Sequence, residues 1–284
     1  MQAAKSGNGS GAITLVVKIG SMALIQKGEG VIDHNIFQRI GSDLKPGMLL
    51  VTSGAAEIGR LDYLQRTGRE LAGEPEQVKV DYAAQGQTIL MDTYRRFIRP
   101  EYGLRQVLVE HTHFNDPKKR THIGDLLARA ARQDTIPIIN YNDPVSDEEV
   151  RKMELAHSRA SGLSVVECVD NDETAAVIAA LVGAKTLLLL TSTEGIYLDR
   201  NDPSTLVTGC CGSDLDQVRA QVTRLMDCCV GASREGAGGA RAKLAFALRA
   251  VEQGATVIIG HARYHIPDLL AGRVPCTRLE AGCI

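Results

Sequence analysis

Short, nearly uninterrupted apolar runs alternate along this chain with segments whose apolar residues recur every three or four positions. The runs are AITLVVKIG (12–20), GMLLVTSGA (47–55), RQVLVEH (105–111), TIPIINYND (135–143), KTLLLLTS (185–192) and ATVIIGHA (255–262). Runs of this length, bounded by turn residues, predict strands covered on both faces. The intervening segments DHNIFQRIGSDL (33–44), VDYAAQGQTILMDTYRRFIRP (80–100), THIGDLLARAARQ (121–133), DETAAVIAALVGA (172–184), DLDQVRAQVTRLM (214–226) and ARAKLAFALRAVEQG (240–254) carry helical spacing. Strands alternating with helices predict an α/β fold, a three-layer αβα sandwich on a mainly parallel sheet. The stretch from Pro144 to Val165 is polar and carries no clear period, and the tail GRVPCTRLEAGCI (272–284) predicts an edge strand.

Lys18 ends the first apolar run. A lysine is seldom buried without a partner, so it either reaches solvent or faces an anion at the strand end. Ligands of open α/β sheets bind beyond the carboxyl ends of the strands. The residues delivered there are Lys18, Gly20 and Ser21; Thr52, Ser53 and Gly54; Asn140, Asn142 and Asp143; Thr191 and Ser192; and Gly260 and His261. Small, hydroxyl and amide residues at several strand ends suit an anion or a nucleotide held by loops and helix N-termini. TSGA also reads as a helix cap, and VDNDET (169–174) as a cap with an acidic first turn. REGAGGARAKL (234–244) reads either as a flexible loop with a solvated lysine or as a phosphate-cradling turn whose Lys243 reaches the same anion. It is not a Walker motif.

Composition narrows the function classes. With 284 residues, 44% hydrophobic and 23% charged, the chain is ordinary for a globular protein. A net charge of −2 argues against nucleic-acid binding. No apolar run reaches the roughly 18 residues of a membrane span. The polar, Gly/Ser-rich start MQAAKSGNGSGA lacks a signal-peptide core, which predicts a cytoplasmic protein with a frayed arm. The seven cysteines, an odd number that includes two Cys-Cys pairs, predict reduced packing residues and neither a disulfide framework nor a zinc site.

Taken in order, strand-KIGS, VTSGA, AAQGQ, IPIINYNDPV, DND, LLLLTSTEGIY and GAGGARAK form a set that resembles the amino acid kinase family, and within it the glutamate 5-kinases, over residues 13 to about 280. The resemblance implies one kinase domain over 1–284, without a further RNA-modification-type domain. An acceptor-binding lobe would span about 13–175 and an ATP-binding lobe about 176–284. It implies ATP-dependent phosphorylation of an amino-acid carboxylate, L-glutamate first, with Mg2+ carried on the ATP phosphates and no protein metal site. A homodimer or tetramer is expected. Lys18, Asp172 and Lys243 match the catalytic positions, with Asp172 orienting the two lysines. Ser53, Gly54, Asn140, Asn142, Asp143, Asp170 and Asn171 match the acceptor site; Lys18, Gly20, Ser21, Thr191, Ser192, Gly236, Gly238, Gly239 and Lys243 match the ATP site. His111 and His113 are expected to shape a loop.

Several positions depart from the family pattern. Met22, Tyr141, Val169, Ser192 and Ala237 replace its Ser, Glu, Gly, Asp and Thr. Asp170 lies 27 positions after Asp143, a much longer spacing than in the family, which implies a lid, an oligomer contact or a reshaped pocket. The acidic and amide residues of the acceptor loops suit an ammonium group, hence an amino acid. Other acceptors on the same fold (a nucleoside monophosphate or isopentenyl phosphate) and a non-catalytic nucleotide-binding or storage protein are the competing readings.

Overall fold

The structure, a computed structural model, describes residues 12–26, 28–146, 148–160, 165–168, 170–199, 201–228 and 239–283. Its centre is an eight-stranded sheet, in the spatial order Gly209–Gly212, Cys276–Ala281, Thr256–His261, Thr186–Thr191, Leu15–Ile19, Met48–Val51, Thr135–Tyr141, Gly103–Val109. Six consecutive strands, from Thr256–His261 to Gly103–Val109, are parallel. Helices cover both faces, giving the three predicted layers.

The alternation of side chains along a strand sorts the first strand between two cores. Leu15, Val17 and Ile19 face a layer holding Phe37, Ile40, Ile58, Leu90 and Tyr94. Val16 faces the opposite layer, with Ile178 and Leu244. Lys18 shares the parity of Val16. It is therefore sent toward the face covered by the helices Asn171–Val182 and Gly239–Glu252, which carry Asp172 in the first turn and Lys243 one turn in.

Two helices of the other layer, Ala55–Thr67 and Pro75–Phe97, cross in near backbone contact. A Cβ on Gly59 would lie 1.9 Å from the Tyr82 carbonyl oxygen, and one on Gly86 would lie 1.8 Å from that of Ala55. The first of these helices starts at Gly54, whose φ of 100° is a conformation that favours glycine. This crossing sets the loop Thr52–Gly54 against the long helix, where Thr52 Oγ1 and the buried Tyr94 hydroxyl are 2.9 Å apart.

Three expectations are corrected. The tail strand Cys276–Ala281 is not at the edge. It runs antiparallel to Thr256–His261, and Gly209–Gly212 pairs outside it. That four-residue edge strand, Gly-Cys-Cys-Gly, lacks the β-branched and aromatic residues that mark strands in a sequence. Between Asp143 and Asp170 the polar stretch forms the helix Glu148–Ala160. Its apolar side chains are too few for a periodic signal, with Leu155 buried and Val150 and Met153 exposed.

The third correction concerns the cysteines. Cys211 and Cys283 are disulfide-bonded, because Gly212 pairs with Ala281 and so brings the chain end beside the edge strand. The remaining described cysteines, Cys168, Cys210, Cys228 and Cys276, are free. Thiol titration of the denatured, unreduced protein should therefore give fewer than seven free thiols. The bond closes a loop with a sequence separation of 72. Its removal in Cys283→Ser should cost up to about 4 kcal/mol in a denaturant titration.

Candidate active site

The answer to Lys18 is Asp172. Lys18 is 6% exposed, and its Nζ lies 2.7 Å from Asp172 Oδ1 as an ion pair, with no aligned hydrogen-bond donor on that oxygen among the described residues. Lys243 Nζ donates to the other oxygen, Oδ2. Asp172 is 4% exposed. Burial alone would raise its pKa, but the two ammonium groups overcome that and hold it well below the usual carboxylate range. Burial pulls Lys243 down, opposed by Asp172 and reinforced by Lys18. Two cations on one buried carboxylate leave the trio with a net positive charge, a place where an anion is favoured.

The surroundings keep that place open. Gly20 follows the strand, and a Cβ there would sit 3.7 Å from Lys18 Nζ. Ser21 opens a short helical turn, Ser21–Ala23, packed beside Gly54. Asp170 caps the helix that presents Asp172, its Oδ1 accepting from the Asp172 amide at 2.9 Å. Gly239, with a φ of 61°, starts the helix that presents Lys243. Gly236 and Gly238 lie outside the described residues.

Three of the seven residues expected on the acceptor side, Ser53, Asn140 and Asn171, meet in one network. Asn171 Nδ2 donates to Ser53 Oγ at 2.8 Å and to the Thr52 carbonyl at 3.0 Å, and lies 3.4 Å from Asn140 Oδ1. Asn140 in turn donates to Gln87 Oε1 at 2.9 Å and accepts from the Tyr141 amide. Asn142 stands apart, donating to Glu110 Oε1 at 2.8 Å. Asp143 opens the turn Asp143–Val145. Burial raises its pKa, against the opposing charges of Lys79 and Arg151. His113 accepts from the Glu110 amide at 2.9 Å as part of a helix cap, and His111 pairs with Glu154. Both histidines hold local structure.

On the other side, Thr191 folds onto its own turn, donating to the Thr193 carbonyl at 2.7 Å and accepting from the Thr193 amide at 3.0 Å. Ser192 is exposed. Nearby, Glu194 gathers Arg263 and the Tyr264 hydroxyl. Among the described residues no three His, Cys, Asp or Glu side chains converge as metal ligands. Sequence reasoning named Thr52 only as a strand-end residue and missed Tyr94, Gln87 and Arg151. Gln87 alone had a signal, as the last residue of AAQGQ.

Comparison with known proteins follows the same lines. The model of the "Amino acid kinase family" matches residues 14–261. A glutamate 5-kinase of Frankia casuarinae is 32% identical over 268 residues, covering 90% of this chain and 63% of the relative. A glutamate 5-kinase of Geobacillus kaustophilus is 30% identical over 270 residues, covering 91% and 65%. The chain thus spans a little under two thirds of the length of these curated relatives. Among solved structures, a carbamate kinase from Giardia lamblia bound to AMP-PNP superposes with a TM-score of 0.59 at 14% identity, covering 95% of this chain and 99% of the other. At that identity the likeness concerns the fold.

Proposed function

The chain belongs to the amino acid kinase family, and on that basis we propose that it is an ATP-dependent phosphotransferase converting L-glutamate to L-glutamyl 5-phosphate. The observation that carries the reading is the buried Lys18–Asp172–Lys243 trio, drawn from three separate chain segments. Support for the acceptor comes from the glutamate 5-kinases, about 30% identical over most of the chain. In this reading residues 13–175 hold the amino acid and 176–284 the nucleotide. Protein, pathway and place are proposed together: a cytoplasmic homo-oligomer serving proline biosynthesis. No helix among the described residues is long and apolar enough to cross a membrane.

In-line phosphoryl transfer asks a protein for position and for compensating charge. ATP supplies the phosphoryl group, and Mg2+ would arrive on its phosphate oxygens. Lys18, on the strand between the two lobes, is assigned to the phosphoryl group in flight, and Lys243 to the nucleotide phosphates. Asp172 pairs with Lys18 and opposes the burial that draws the Lys243 ammonium group toward losing its proton. The Ser53–Asn171–Asn140 network is assigned to orienting the attacking carboxylate, and Asp143 and Asp170 to the substrate ammonium. Thr191, Ser192, Gly20, Ser21 and the glycines at 236, 238 and 239 complete the nucleotide side.

A hydroxylamine-trapping screen tests this. L-Glutamate with ATP should give the γ-glutamyl hydroxamate. Turnover only with a nucleoside monophosphate or isopentenyl phosphate would replace the acceptor, and tight ATP binding with no turnover would favour a storage or binding role.

Asp143 gives a test through stability. A carboxylate whose pKa is raised on folding contributes stability below its ordinary range and loses it as pH rises through the raised value. At neutral pH the ionised side chain is therefore held at a cost. Asp143→Asn should raise the melting temperature of the empty protein at neutral pH while weakening the KM for glutamate. A melting temperature that falls would sink the assignment.

A further inference from the structure

Two buried donors on the acceptor side have no acceptor: Gln87 Nε2 and Arg151 Nε. Arg151 belongs to the surroundings of Asp143, and Gln87 is tied to the strand that leads to it. Gln87 is bonded through its oxygen to Asn140, three residues before Asp143. Arg151 lies within electrostatic reach of Asp143, as does Lys79. Among the described residues no side chain donates a hydrogen bond to Asp143. Arg151 Nε and Gln87 Nε2 therefore each lack an acceptor, and Asp143, although Lys79 and Arg151 lie within electrostatic reach, lacks a hydrogen-bond donor among the described residues.

The helix that carries Arg151 is held in place. Glu154, one turn on, has Oε2 2.9 Å from the Nε2 of buried His111. Leu155 is buried, and Arg159 pairs with Glu167. An arginine presented by a packed helix loses little freedom on binding, and its planar fork matches a carboxylate.

We infer that Arg151, assisted by Gln87, binds the α-carboxylate of the amino-acid acceptor while Asp143 takes its α-ammonium group. The zwitterionic head supplies both missing partners at once. A ligand that carries the ammonium group alone leaves the buried Arg151 Nε without an acceptor. This gives the long segment after Asp143 a role in choosing the acceptor. The inference rests on the proposed glutamate kinase reading.

The test compares wild type, Arg151→Gln and Arg151→Lys in the hydroxamate assay, with 4-aminobutyrate as a competitor because it lacks only the α-carboxylate. Arg151→Gln should raise KM for L-glutamate about ten- to a hundredfold, the usual worth of a hydrogen bond between charged groups. Its kcat should fall less than about threefold, as expected for binding made equally in ground and transition states. Arg151→Lys should recover part of the loss, and inhibition by 4-aminobutyrate should be the same in all three proteins. An unchanged KM overturns the inference. So does a parallel loss of glutamate and 4-aminobutyrate binding, which marks a purely structural role. A wild-type protein that forms no γ-glutamyl hydroxamate sinks the kinase reading itself, and the inference with it.

Discussion

Asp172→Asn is expected to lower kcat by about a thousandfold, the loss seen when a preorganised charge is removed from a reacting centre. The side chain keeps its shape but loses the charge that balances Lys18 and Lys243. The buried Lys18 and the half-buried Lys243 are then left without a counter-ion, a situation that costs up to about 3–5 kcal/mol. The melting temperature should fall with the activity. The pH dependence separates this from an unrelated packing defect. Asp172 has a pKa depressed by folding, so its contribution to stability is present above the ordinary carboxylate range and lost only as pH falls through the depressed value. The gap between wild type and variant should be constant from about pH 5 to neutrality and should close only in stronger acid, below about pH 4. A gap that varied across pH 5–7 would place the titration on some other group.

Gly86→Ala is expected to destabilise the protein by about 3 kcal/mol or more, at the upper end for overpacking. The obstacle is the Ala55 carbonyl oxygen, 1.8 Å from the added methyl carbon, and backbone yields less readily than a side chain. The loss should spread to the site, since the two helices hold the Thr52–Gly54 loop and Gln87 on either side of Asn140 and Asn171. Gly124→Ala is the control. Its Cβ would meet Leu181 Cδ1 at 3.4 Å, an ordinary contact, within the helix Pro117–Ala131. There the better helix propensity of alanine should leave stability unchanged or raise it by up to about 1 kcal/mol. Chemical denaturation of both variants checks the pair, and equal losses would mean that the helix crossing is not the constraint.

Much of this was legible because a buried strand ending in lysine is a contradiction that asks for a partner. The strand order, by contrast, is not written in local pattern. The meeting of Lys18 with Asp172 depends on which face Val16 and Lys18 share, and so on the pairing of Leu15–Ile19 with Thr186–Thr191. Ser53, Asn140 and Asn171 were identified separately, and the structure brings them within hydrogen-bonding distance. Asn142 was placed with them by motif alone and turns to Glu110, because the strand ends at Tyr141 and the alternation that would keep it on the side of Asn140 ends with it. Arg151 was invisible, since one arginine among the charges of a polar stretch has no periodicity to mark it. The Gly209–Gly212 strand escaped for the same reason: four residues rich in glycine are a strand only by virtue of the neighbour they pair with.

The first strand of the chain lies in the middle of the sheet, between Met48–Val51 and Thr186–Thr191. During synthesis one of its flanks can be closed early and the other cannot. At ribosomal speeds of about 5–20 residues per second, roughly 10–30 s pass between the emergence of Ile19 and that of Thr191. For that interval Leu15–Ile19 presents an unpaired edge beside a lysine that has no carboxylate to answer it. That uncompensated charge works as a gatekeeper, because a lysine on an open edge discourages the wrong strand from adding there. The residue proposed for catalysis in the finished protein thus also protects the unfinished one. Ribosome-bound fragments ending near residue 160 should aggregate more readily as Lys18→Leu than as wild type.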